Sequence, residues 1–451
     1  MRMIEILWNL GAFIIALGIL VAVHEYGHFW VARRNGVRVE RFSIGFGKPI
    51  WRKTGRDGTE YVVAMIPLGG YVKMLDGRVD EVPPELANQA FNNKSVWARM
   101  AIVVAGPMAN FLFAVFAFWL MFLIGVPSVK PVVRDVVAES PAALGGVQPG
   151  MQITAINGND ILTWEDVNFA LIGQIGAEQT TLVVQTDGGS QQQLTVPLDR
   201  WQFNPDSESP VTALGLLPEG PVATLTLENV LAGGAGAEAG LRAGDTLLSA
   251  NNEPLRDWEQ FVTLVQSSPE QPMELVVRRE GQSLDLVLTP ALLETDDRAI
   301  GYVGLAPSVT PVDDRYRFEL SYGPVKALWE GAERTWELTV LTFQMIGKLL
   351  TGIVSLDNLS GPISIAKGAG TSAGFGLVYF LSFMALVSVN LGIINLLPLP
   401  VLDGGHLLFY GVEAITGRPV PERIQELGFR IGAALLILLM GLALFNDIGR
   451  L

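Results

Sequence analysis

The sequence predicts a polytopic α-helical membrane protein with four transmembrane helices and two α+β domains inserted between them. Three observations carry this. The chain has four long apolar stretches. A polar, acidic region of about 200 residues separates the second from the third and contains the same pattern twice. The 451 residues are 49% hydrophobic and only 17% charged, too apolar for a soluble protein of that length.

The first stretch is apolar from Ile4 to Val23, and its helical pattern continues to about Ala32. It is too long for a signal peptide, and no small-residue cleavage site follows. The second runs from about Val96 to Val126 and the third from about Phe375 to Leu397. The fourth, Phe429 to Phe445, is just long enough to cross a bilayer. Glu337 to Ser355 is a fifth candidate. It carries Glu337, Gln344 and Lys348 and reads better as an interfacial amphipathic helix.

Charge sets the expected orientation. Arg33, Arg34, Arg38 and Arg41 follow the first stretch directly, and Lys48, Arg52, Lys53 and Arg56 add to them. Arg33 to Arg99 holds 12 Lys/Arg against 7 Asp/Glu, whereas Val126 to Val325 holds 10 against 27. The positive-inside rule places the basic loop in the cytoplasm. Both termini and the acidic region then lie outside, which in a bacterium is the periplasm. An acidic chain of this kind, with a net charge of −14, has no nucleic-acid footprint. With no cysteine, disulfides and thiolate metal sites are excluded too.

The acidic region repeats with an offset of 94 residues: Gly146 aligns with Gly240, Gly150 with Gly244, Asn157 with Asn251 and Trp164 with Trp258. Each copy reads as a small-residue turn, an alternating strand (ITAIN, LLSAN), a second turn and a short helix. Gly150 and Gly244 stand at turns where positive φ is cheap only for glycine. The pattern resembles a circularly permuted PDZ domain, closed by strands near Leu214–Leu216 and Val303–Leu305. Such folds accept an extended peptide as an added strand. Peptide binding and steric gating both remain open.

The chemistry concentrates at the end of the first stretch, in His24-Glu25-Tyr26-Gly27-His28. On a helix, positions i and i+4 share one face. Two imidazoles so placed can bind one Zn²⁺ at about 2.0–2.1 Å. Glu25 is then positioned to take a proton from water. The chain has only three histidines, and two of them stand at ligand spacing. Ionisable groups at the end of an apolar helix are costly unless they serve a site. A third ligand must come from elsewhere in the chain. After the third stretch, Pro398 and Pro400 break the helix, and Asp403 and His406 follow at once. By chemistry alone, either could bind zinc.

HEYGH, IPLGGYVKM, AGPMANF, the double repeat, LSGPISIAKGAG and NLLPLPVLDGGH together resemble the site-2 protease family, in the family's order and over nearly the whole chain. That resemblance implies Asp403 as the third ligand and zinc near the cytoplasmic side. It implies regulated intramembrane proteolysis of single-span membrane proteins already trimmed on the outer side, with anti-sigma factors as the class and remnant signal peptides as a further one. It also implies a membrane-re-entrant β-hairpin at about 61–75, whose edge at Tyr71, Val72, Lys73 and Met74 pairs with unwound substrate. Substrate contacts at Asn390, Asn395, Pro398 and Pro400 follow from it as well. Without the family, the hairpin could be an ordinary cytoplasmic one, and the two asparagines could simply bond helices together. Pro107 and Asn110 read as structural.

The expected architecture is a membrane region at 1–126, a first PDZ-like domain at 127–220, a second at 221–307, an interfacial helical segment at 308–372 and a second membrane region at 373–451. The expected location is the bacterial inner membrane. A non-enzymatic PDZ scaffold or quality-control adaptor is the rival reading, but it leaves HEYGH and LDG unused. A transporter is disfavoured because the spans show no inverted repeat.

Overall fold

A computed structural model describes residues 2–449, except positions 80, 187, 200, 202–208, 295–298, 355 and 357–359. Ser355, the expected end of the interfacial segment, and Leu359 of the LSGPISIAKGAG motif lie outside the described residues. Among the described residues, four helices are long and apolar enough to cross a membrane. They are α1 (Arg2–Arg34), α2 (Val96–Ile124), α7 (Leu377–Leu396) and α9 (Glu422–Gly449), which match the four stretches read from sequence. Ser95 caps α2 by accepting from the Ala98 N–H, and Gly125 ends it at φ +98°.

α2 is the hub, packing against α1 and α7. At the α1 contact, the Gly27 Cα faces the Ala105 carbonyl, and a Cβ there would stand 2.8 Å from the Ala109 Cβ. Glycine is what lets the two backbones approach. α9 has far less support. Its N-terminal half lies on Pro400 through Gly428 and Gly432, within 3.1–3.2 Å of where their Cβ atoms would be. At its C-terminal end Asp447 accepts from the backbone N–H groups of Gly361, Ile363 and Ser364. Those are the orphan donors that open the helix α6 (Pro362–Phe375).

Between α1 and α2 lie two long strands, β1 (Val39–Thr54) and β2 (Glu60–Met74). The sequence reading placed a hairpin at about 61–75. That span is only its second arm; the first begins at Val39. Both arms fold back, so that Arg41–Ile44 faces Glu60–Val63 on one side and Gly70–Lys73 on the other. Positive φ at Gly45, Gly47 and Gly69 permits the bends. Among the described residues no named strand other than β1 pairs with Gly70–Met74.

Between α2 and the later helices stand two β-rich units. In the first, strands Gln152–Ile156, Asn159–Asp160 and Gln179–Gln185 flank a helix α3 (Trp164–Gly173). In the second, Thr246–Ala250, Glu253–Pro254 and Met273–Arg279 flank α4 (Trp258–Gln266). Each strand begins 94 residues after its counterpart, so the sequence repeat is a repeat of structure. Gly150 and Gly244 adopt φ of +85° and +91°, and Asn157 and Asn251 adopt +48° and +49°. Each unit has its own apolar core, one around Ile153, Leu182 and Leu214 and the other around Leu247, Phe261 and Leu275.

The helix α5 (Pro324–Leu350) follows the units. It begins earlier than the expected Glu337. It buries Ala327, Gly331, Thr335 and Leu338 and packs on α2 and α7. Trp329 and Trp336 point outward. It is not among the helices apolar enough to span. The first unit rests on it: Arg334 pairs with Glu165 and Asp166, and Lys348 donates to the Gly173 carbonyl at 2.8 Å.

Candidate metal centre

α1 carries His24 and His28 one turn apart, both turned toward α2. The helix α8 (Asp403–Thr416) brings Asp403 to the same point. Leu402 is its N-cap residue, so Asp403 opens the first turn rather than capping it. The chain can turn this tightly because a Cβ at Gly404 would strike the Leu396 and Leu397 carbonyls, and one at Gly405 would strike Pro400.

Three atoms converge. The Nε2 atoms of His24 and His28 are 3.2 Å apart. Asp403 Oδ2 lies 3.3 Å from the first and 3.4 Å from the second. Oδ2 is buried and makes no hydrogen bond, which is costly for a carboxylate oxygen. A tetrahedral shell with bonds of about 2.0–2.1 Å has edges of about 3.3–3.4 Å. The donor set and its spacing therefore fit one Zn²⁺, with a fourth vertex open. Among the described residues these three are the cluster of histidine and acidic groups able to hold a metal ion.

The remaining ring nitrogens are engaged. His28 Nδ1 donates to the Ile102 carbonyl at 2.8 Å, which leaves its Nε2 lone pair for a metal. Pro107 has no N–H for the Val103 carbonyl, so the α2 ladder is broken beside that contact. His24 Nδ1 lies 3.1 Å from the side-chain amide of Asn110.

A cavity of about 530 Å³ opens on the three groups, lined also by Glu25, Gly70, Tyr71, Val72, Lys73, Met74, Arg78 and His406. The Gly70–Met74 strand thus runs past the candidate centre. Gly70 makes this possible, since a Cβ there would stand 3.0 Å from Glu25 Cγ and 2.8 Å from a Val21 methyl. His406 lines the cavity but lies outside the convergent group, its ring 5.4 Å from that of Phe429. Asn390, Asn395, Pro398 and Pro400 are not in this lining. Asn390 accepts a hydrogen bond from Thr342 of α5 at 3.0 Å.

Sequence reasoning missed Gly106 and the contact of Asn110. A Cβ on Gly106 would stand 2.5 Å from His28 Cε1 and 2.8 Å from His24 Cε1. The available signal was spacing: 106 and 110 differ by four, so they share the α2 face that meets the histidines.

Fold and site together define a membrane-embedded protein with an HExxH helix and a distant aspartate at one buried point. The model of peptidase family M50 matches residues 12–439, and the chain belongs to that family, the site-2 protease family its motifs resemble. It is 54% identical over 450 residues to the regulator of sigma-E protease RseP of Escherichia coli strain K12, and equally to that of Salmonella typhimurium, with full coverage of both chains. It is 55% identical over 452 residues, again at full coverage, to a putative zinc metalloprotease of Vibrio cholerae.

Proposed function

We propose that this protein is an intramembrane zinc endopeptidase that cuts single-span membrane proteins, with His24, His28 and Asp403 as metal ligands and Glu25 as general base. The observation that carries it is the convergence of two imidazole nitrogens and an unbonded carboxylate oxygen at tetrahedral spacing, in a cavity lined by the Gly70–Met74 strand. Zinc, when bound, supplies a Lewis acid that polarises the scissile carbonyl and acidifies water. Glu25 takes the proton of the attacking water and returns it to the leaving nitrogen.

A helical substrate hides its amides, so it must unwind before it is cut. Tyr71–Met74 offers the backbone partners that an unwound strand needs at membrane depth. Asn395, Asn390, Pro398 and Pro400 hold the strand from the side of the helix break. The two repeated units act as PDZ-like domains on the periplasmic side of a bacterial inner membrane. They exclude substrates whose outer domains are intact, and each offers a groove for a peptide. Trimmed anti-sigma factors and remnant signal peptides are the substrates this arrangement fits. The family resemblance and the similarity to sigma-E regulators support that choice.

The test compares wild type with Glu25→Gln. The variant is expected to keep one zinc per chain and to lose cleavage of a single-span substrate. Full activity would reject the mechanism. Absence of zinc from the wild type would reject the enzyme and favour a scaffold.

A further inference from the structure

We propose that Asn110 is a positioning residue of the metal centre: its side-chain oxygen accepts the Nδ1 proton of His24 and so fixes the tautomer that presents Nε2 to the metal. The inference rests on the zinc-site reading above.

The two histidines have matching needs and different partners. Both point Nε2 at the convergence with Asp403, so both must carry their proton on Nδ1. For His28 the acceptor is the Ile102 carbonyl, which can only accept. For His24 the facing group is the Asn110 amide, 3.1 Å from Nδ1. Asn110 is fully buried, and its Oδ1 has no partner while its Nδ2 faces the ring. In that orientation the amide donates to Nδ1, which forces the proton onto Nε2 and blocks it as a ligand. The two ends of a carboxamide have nearly the same shape, and the hydrogen-bond network decides between them. A half-turn about the terminal bond exchanges Nδ2 and Oδ1, brings the orphan oxygen into use and frees Nε2.

The backbone holds this residue for the task. Ser388 of α7 donates to the Asn110 carbonyl at 2.9 Å, which ties α2 at that point to the helix that leads to Asp403. Gly106, four residues earlier, leaves room for both rings. A neutral acceptor also adds no charge beside Glu25 and Asp403. Outer partners of this kind orient ligating histidines, and their loss costs about 10–100-fold in metal affinity.

The test is zinc affinity of the purified full-length chain by chelator competition, with the unfolding midpoint of the metal-free form measured in parallel. Asn110→Leu fills similar space without an acceptor, and Asn110→Asp keeps an acceptor at either end. The leucine variant is expected to bind zinc about 10–100-fold more weakly, and the aspartate variant to stay nearer to wild type than to leucine. Wild-type affinity in Asn110→Leu would overturn the proposal. So would equal loss in both variants, which marks Asn110 as a packing residue. A wild-type protein that binds no zinc would instead refute the underlying function.

Discussion

Gly106→Ala adds one methyl group at the point where α2 faces both imidazoles. That carbon would lie 2.5 Å from His28 Cε1, nearer still to His28 Nε2, and 2.8 Å from His24 Cε1. Non-bonded carbons sit at about 3.5–4.0 Å, so the His28 ring must retreat by about 1 Å. Metal–ligand distances tolerate about 0.2 Å. Retreat of the ring is opposed by its Nδ1 bond to Ile102 and would carry Nε2 away from the convergence with Asp403. The expected result is a loss of zinc affinity at least as large as that of an outer-partner mutation, about 100-fold or about 2.7 kcal/mol. Chelator competition on the full-length chain reads it. Gly347→Ala is the control. Nothing lies within 4 Å of the added carbon there, and an exposed helical glycine replaced by alanine gains about 1 kcal/mol. Wild-type zinc affinity in Gly106→Ala would refute the steric argument and the placement of the rings.

In the first β-rich unit, Ile153→Ala removes a fully buried side chain and is expected to cost about 2–5 kcal/mol, read by thermal unfolding; a change under about 0.5 kcal/mol would contradict the core assignment. In the second unit, hydrogen bonds from Arg279 hold the Asp245 carboxyl below its ordinary value, against the opposing effect of burial. A depressed folded-state pKa contributes stability that is fully present above the unfolded value of about 3.9 and is lost as pH falls through the folded one. The second unit should therefore lose stability on acidification below about pH 4, and Asp245→Asn should flatten that dependence; an unchanged profile would contradict it. Deleting about 127–307 should allow cleavage of a substrate with an intact outer domain, and unchanged selectivity would argue against the filter.

The spans were legible because an apolar run of membrane length has few other readings. The repeat was legible because each turn needs a glycine or asparagine at positive φ, and these recur at one offset. His24 and His28 were legible as a pair because their i, i+4 spacing is local. Everything that depended on chain segments meeting at a distance was harder. Chemistry alone left Asp403 and His406 equal, and only the family resemblance preferred the first. The geometry now places Asp403 Oδ2 against both rings, with His406 in the cavity wall. The first arm of the hairpin was missed because its apolar residues, Phe42, Ile44 and Phe46, form a short run between Arg41 and Lys48 and sit in the basic loop. Asn110 was read as structural because a lone asparagine in an apolar helix carries no signal until its neighbour across the helix interface is known.

The most direct test of the account is X-ray absorption at the zinc edge on the purified full-length protein, wild type against Asp403→Asn. The expected wild-type result is one zinc per chain in a shell of nitrogen and oxygen at about 2.0–2.1 Å, with the outer scattering of two imidazoles. The substitution should lower zinc occupancy or remove one oxygen from that shell. A wild-type spectrum without two imidazoles, or a shell unchanged in Asp403→Asn, would contradict it.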